Sequence, residues 1–121
     1  MNTLLTIEKR NAVLTTMAAL LAQERTALKS SNQQDLANYS GEDLAMEKRL
    51  LVDDAKIDGM ILSLQQLASQ DDPVGKIRFE FVHDNGLKIY NKTAAFGTIL
   101  IIYESRPDVT VEAGGIAFKS G

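Results

Sequence analysis

The chain has 121 residues, 45% of them hydrophobic and 24% charged, with a formal net charge of −3. That length sustains one modest domain with a core and not two, and the composition is that of a soluble globular protein. The acidic balance argues against general electrostatic binding to nucleic acid, which needs a basic surface, though a local basic patch is compatible with it. With no cysteine and one histidine, a disulfide framework, a zinc site and a catalytic thiol within these residues are excluded.

The charges at Glu8, Lys9 and Arg10 interrupt the first apolar residues, and the pattern that follows is amphipathic, unlike a signal peptide. No run approaches the roughly 18 apolar residues of a membrane span. The expectation is a cytoplasmic protein with no membrane contact. Ile7, Leu14, Met17, Leu21 and Leu28 fall near one face at helical spacing, separated by strong helix formers. Ser30, Ser31 and Asn32 are expected to interrupt this helix, and Asp35 and Leu36 to open a short helical turn. A second helix is predicted over 42–51. The clearest helix starts at Asp53 or Asp54, where Ile57, Met60, Ile61, Leu64, Leu67 and Ala68 form one apolar stripe. Asp53 is its candidate N-cap, Gly59 a mild weakness of about 1 kcal/mol, and Pro73 its limit.

The period then changes from helical to two. Ile77, Phe79 and Phe81 alternate with Arg78, Glu80 and Val82, and Leu87 to Tyr90 follow after His83-Asp84-Asn85-Gly86. Asn-Gly between two such runs signals a hairpin whose two turn residues both take positive φ. A third run, Thr98 to Tyr103, is continuous and β-branched, the pattern of a strand covered on both faces of a parallel sheet. Pro107 suits the first turn of a helix, predicted over 109–119, where Gly114 and Gly115 weaken it and permit close approach to a neighbouring strand. A strand followed by a helix is half of a βαβ unit, so the order of elements suggests a truncated α/β fold. Gly114-Gly115 is not part of a phosphate loop. No metal site is expected, and His83 is read as a solvated turn residue. Asp71-Asp72 is read as a loop and cap feature, and Glu47-Lys48-Arg49 as a solvated helix face.

One set of residues carries a family resemblance. Asp72-Pro73-Val74-Gly75, Asn85-Gly86-Leu87, Tyr103-Glu104-Ser105-Arg106-Pro107 with Val109-Thr110-Val111, and Lys119-Ser120-Gly121 keep their spacing without gaps. On these the chain resembles the γ-glutamyl phosphate reductases, also called glutamate-5-semialdehyde dehydrogenases, within the aldehyde dehydrogenase superfamily. The resemblance is sharp in the C-terminal part and looser upstream, at Arg49-Leu50, Ile57 and Gly59-Met60.

The resemblance implies the N-terminal part of an aldehyde-dehydrogenase-like α/β fold. Residues 1–75 would be a helical part of the cofactor-binding domain, 76–95 a β-hairpin oligomerisation arm, and 96–121 the first strand, turn and helix of the dinucleotide-binding sheet. It also implies an NADP-dependent oxidoreductase of proline biosynthesis and a homo-oligomer joined through the arm. In the family reaction a thiolate attacks γ-glutamyl phosphate and expels phosphate, and NADPH reduces the thioester to the semialdehyde. The nucleophile is absent here, so the chain alone is expected to be inactive.

Site expectations follow from the same resemblance. Ile101, Ile102, Tyr103 and Glu104 would run beside the cofactor, at the strand end where open α/β sheets bind ligands; the competing role is a plain core strand with its exit turn. Ser105 stands where the superfamily has an oxyanion-stabilising Asn, or is a helix-cap serine. Arg106 would grip the substrate's phosphate or carboxylate, or pair with Glu104 or Asp108. Three departures from the family pattern stand out: Ala95-Phe96-Gly97 replaces Pro-Leu-Gly, Leu100 replaces a Gly, and Asp108 replaces an Asn. Two other functions compete with the reductase. One is a non-catalytic helical and hairpin interaction module, the other a related aldehyde or acyl-phosphate dehydrogenase with a different substrate.

Overall fold

The computed structural model describes residues 5–104 and 106–121. Helix α1 (Ile7–Gln23) is capped by Thr6, whose hydroxyl accepts from the Lys9 amide at 3.4 Å. The expected interruption at Ser30 to Asn32 does not occur: α2 runs unbroken over Arg25–Asn38 and takes in Asp35 and Leu36. The break between the two helices falls at Glu24 instead. Polar residues weaken helices by bonding to their own backbone, and Asn32 does not. Its buried side chain donates to the Leu50 carbonyl at 2.8 Å and accepts from the Val52 amide at 2.7 Å.

Helix α3 (Leu44–Leu50) is shorter than the predicted 42–51, starting after Asp43, which caps it by accepting from the Ala45 and Met46 amides. Helix α4 (Asp54–Ser69) forms as expected, with Asp53 accepting from the Lys56 amide at 2.8 Å. Its stripe supplies Ile57, Met60 and Leu64 to the core.

Strands β1 (Ile77–Val82) and β2 (Lys88–Lys92) pair antiparallel, with Phe81 opposite Ile89 and Val82 opposite Lys88. The hairpin is where the sequence puts it, but its turn differs. The Gly86 amide donates to the His83 carbonyl and the His83 amide to the Leu87 carbonyl, both at 2.8 Å, and Gly86 takes φ +86°. That is a three-residue loop with one left-handed glycine rather than a two-residue turn with two left-handed residues. Asn85 closes it through its side chain, accepting from the Leu87 amide at 3.0 Å. At the base, the Thr93 hydroxyl donates to the Pro73 carbonyl at 2.6 Å and accepts from the Lys76 amide at 2.9 Å. Every residue of both strands is exposed.

The predicted strand over Thr98 to Tyr103 is not formed. The sheet of described residues has two strands, and this segment joins neither edge. A continuous apolar run is stable as a strand only when both faces are covered, and here Leu100 and Ile102 are 84% and 88% exposed.

Helix α5 (Pro107–Lys119) opens on Pro107, as its fixed φ favours. It packs on helices α4 and α1, not on a strand. A Cβ on Gly115 would meet side-chain carbons of Leu64 and Leu67 at 3.1 Å and of Leu14 at 3.7 Å. The core is thus a three-helix contact of α1, α4 and α5, centred on Leu14, Ala18 and Leu64 and lined by Met17, Ile61, Leu67, Val111 and Phe118.

Two buried cations tie the ends of these helices together. Arg10 is 3% exposed and Lys119 2%. Arg10 donates through Nη1 to the Lys119 carbonyl, at the end of α5, and through Nη2 to both Asp72 carboxylate oxygens at 2.8 Å. Lys119 Nζ donates to Asn11 Oδ1 at 2.6 Å and to the Gln70 carbonyl, past the end of α4, at 2.7 Å. Cations at helix C-termini complement the dipole and satisfy orphan carbonyls. Burial, with Arg10 beside it, pushes the Lys119 ammonium pKa below the ordinary lysine value. The Val74 amide and the Arg10 guanidinium hold the Asp72 carboxyl below the usual carboxylate range.

Two sets of variants test this packing. Gly114 has nothing within 4 Å of an added Cβ, so Gly114→Ala should raise stability by about 0.5–1 kcal/mol through helix propensity. Gly115→Val should lower it by about 1–3 kcal/mol through overpacking; urea denaturation checks both. A depressed carboxylate pKa contributes stability above the unfolded-state value that is lost as pH falls through the folded one. Asp72→Asn should therefore lower Tm at neutral pH, and its gap to the unaltered chain should close below about pH 4.

Candidate functional site

The candidate site lies where the segment before α5 turns into the helix. Ile101, Ile102, Tyr103 and Glu104 are exposed and without regular secondary structure. Tyr103 is anchored to the helix it precedes, its hydroxyl 2.5 Å from Thr110 Oγ1 one turn into α5. Arg106 occupies the N-cap position, and its carbonyl accepts from the Val109 amide at 3.0 Å. Ser105 lies outside the described residues. Asp108, in the first turn of α5, suits the positive end of the helix dipole.

Ile101 to Glu104 present exposed side chains. They could form one wall beside a dinucleotide; the cavities that Arg106, Pro107 and Asp108 line among the described residues have other residues as their remaining lining. Arg106 behaves differently. Among the described residues it makes no ion pair with Glu104 or Asp108. It lines a cavity of about 210 Å³ with Lys48, Arg49, Lys56 and Asp108. Lys48 and Arg49 come from the last turn of α3, and Lys56 from the first turn of α4. Lys56 Nζ donates to the Arg49 and Leu51 carbonyls, both at 2.6 Å, which fixes the α3–α4 junction against the cavity.

The sequence indicated Arg106 but not its companions. Lys48 and Arg49 read as a solvated face, and they are indeed exposed. The only linear signal was a run of basic residues at the end of α3. Their convergence on Arg106 depends on how the α3–α4 junction is pinned by Asn32 and Lys56.

No protein-family model matches the chain. Individual proteins do. It is 38% identical over 117 residues to the γ-glutamyl phosphate reductase of Persephonella marina, and 40% over 113 residues to that of a Hydrogenobaculum species. These matches cover 95% and 92% of the chain and 26% of each relative. The solved γ-glutamyl phosphate reductase of Thermotoga maritima superposes with a TM-score of 0.83 at 34% identity, over 96% of this chain and 28% of that one. The chain is a homologue of the N-terminal part of γ-glutamyl phosphate reductases. The solved enzyme from Saccharomyces cerevisiae agrees, with a TM-score of 0.86 at 32% identity over 95% of the chain and 30% of its own. The chain therefore spans between a quarter and a third of the length of the proteins it matches. Coverage this complete includes the hairpin, so the mixed helix-and-hairpin fold is that of the same part of the solved reductases. Among the described residues, no helix is long and apolar enough to cross a membrane.

Proposed function

We propose that the chain supplies the N-terminal part of an NADPH-dependent reductase that converts γ-glutamyl phosphate to glutamate-5-semialdehyde and phosphate in the cytoplasm, as a step of proline biosynthesis. The supporting observation is homology to reductases of that name along almost the whole chain, with solved members superposing on it. In this proposal residues 1–75 buttress the cofactor domain, 76–95 form an oligomerisation arm, and 96–121 open the dinucleotide-binding sheet.

Each residue of the turn then has a task. Ile101, Ile102, Tyr103 and Glu104 form one wall of the cofactor site, with Tyr103 held in place by Thr110. A reduced nicotinamide dinucleotide bound there would supply the hydride. Arg106 holds the anionic substrate through its planar fork of donors. Ser105 offers a hydroxyl for the developing oxyanion. None of the 121 residues is a cysteine, so the chain alone does not carry the reaction and the thiolate is contributed from outside these residues.

A chimaera tests this reading, with residues 1–121 replacing their counterpart in the Thermotoga maritima reductase. It should reduce γ-glutamyl phosphate with NADPH, and a folded but inactive chimaera would count against the proposal. In that background Arg106→Ala should raise KM for γ-glutamyl phosphate about tenfold, as the loss of one charge-assisted pair of bonds implies, and leave KM for NADPH nearly unchanged. Equal effects on both would remove Arg106 from the substrate site.

The hairpin supports the oligomer part of the proposal. Both its faces are exposed, with Phe79 and Phe81 60% and 48% accessible, and an uncovered strand edge is a template for pairing. Phe79→Glu with Phe81→Glu should turn a self-associating chain into a monomer in sedimentation experiments. Identical sedimentation of the two proteins would exclude the arm.

A further inference from the structure

The cavity beside Arg106 has a charge unlike the rest of the molecule. The protein carries a net charge of −3, yet four cations, Lys48, Arg49, Lys56 and Arg106, line this one cavity against a single carboxylate, Asp108. The acidic side chains nearby are set apart. Asp53 and Glu112 line the adjoining groove, which shares only Lys56 and Asp108 with this one.

The arrangement is held rather than accidental. Lys56 is half-buried and spends two donors on the Arg49 and Leu51 carbonyls. Those carbonyls are the negative end of α3, so their neutralisation leaves the cavity more positive. Asn32 pins the same junction from α2 through Leu50 and Val52. The first turn of α5 faces it from the other side, through Arg106 and Asp108. At about 210 Å³ the cavity is smaller than the roughly 300–1,000 Å³ pockets that enclose drug-sized ligands. Two guanidinium forks and two ammonium groups match a small, multiply charged oxyanion better than a single carboxylate.

We propose that the cavity between α3, the start of α4 and the N-terminus of α5 binds a phosphate group, with Lys48, Arg49, Lys56 and Arg106 as its cationic lining. The proposal rests on the reductase reading, in which Arg106 already faces an anionic ligand, and it adds Lys48, Arg49 and Lys56 as the groups that hold the phosphate. The phosphate is either that of a small acyl phosphate or that of a phosphorylated dinucleotide.

Two-dimensional amide NMR of the 121-residue chain tests the site, using inorganic phosphate as probe and chloride to hold ionic strength constant. Saturable shifts should concentrate at the end of α3 and the first turns of α4 and α5. Lys48→Gln with Arg49→Gln, both on an exposed face, should weaken binding at least tenfold. Asp108→Asn should tighten it about fivefold, the effect of one unit charge near 4 Å in water. Acetyl phosphate reproducing the shifts assigns the site to acyl phosphates; NADP+ reproducing them where NAD+ does not assigns it to the dinucleotide's phosphate. The proposal is overturned if chloride produces the same shifts, or if neither the double substitution nor Asp108→Asn changes the affinity. Its failure would leave the reductase reading standing, since the chimaera is judged by turnover.

Discussion

The fold depends on two positive charges taken out of water. Arg10 and Lys119 are almost wholly buried, at opposite ends of the sequence, and each satisfies a backbone carbonyl at or just past the end of another helix. Arg10 also holds Asp72, from which the chain leads through Pro73 into the hairpin. The start of α1, the end of α4, the end of α5 and the root of the hairpin therefore meet at one point. Buried charges are costly unless fully hydrogen-bonded, and among the described residues no buried polar side-chain atom lacks a partner. Removing one partner from such a junction would leave a buried charge uncompensated, which is strongly destabilising.

The rest of the molecule divides by how much it can bury. Three helices share a core small enough that Gly115 must approach Leu64 and Leu67 directly. The hairpin and the segment over 96–104 bury little. Phe96, Leu100 and Ile102 are among the most exposed side chains, although their composition is that of interior residues. The solved reductases that superpose on the chain are longer proteins, of which it covers 28% and 30%. The candidate site residues sit at the border between the two parts, where the exposed segment ending at Glu104 precedes a helix that opens on Pro107 and packs on the core.

The local elements were legible because each is written in neighbouring residues. The α4 stripe, the Asp53 cap, the Pro107 start and the Asn85-Gly86 hairpin all formed where their chemistry is strongest. Errors arose where a distant partner decided the outcome. Asn32 reads as a helix breaker until Leu50 and Val52 engage it. The run over 98–103 reads as a buried strand, and pattern alone cannot supply the neighbours that would make it one. The glycines of α5 suggested a strand beside them, whereas α4 lies there.

The sequence by itself determined the α4 and α5 helices and the hairpin, the absence of a thiol nucleophile, and the string around Arg106 that carries the family resemblance. These depend on periodicity, capping and residue identity, which act over a few positions. Tertiary structure alone decided that Arg10 and Lys119 are buried, and that Lys48, Arg49 and Lys56 converge on Arg106. Such pairings join residues far apart in the chain, and their energies come from burial and Coulombic contact that no local pattern records.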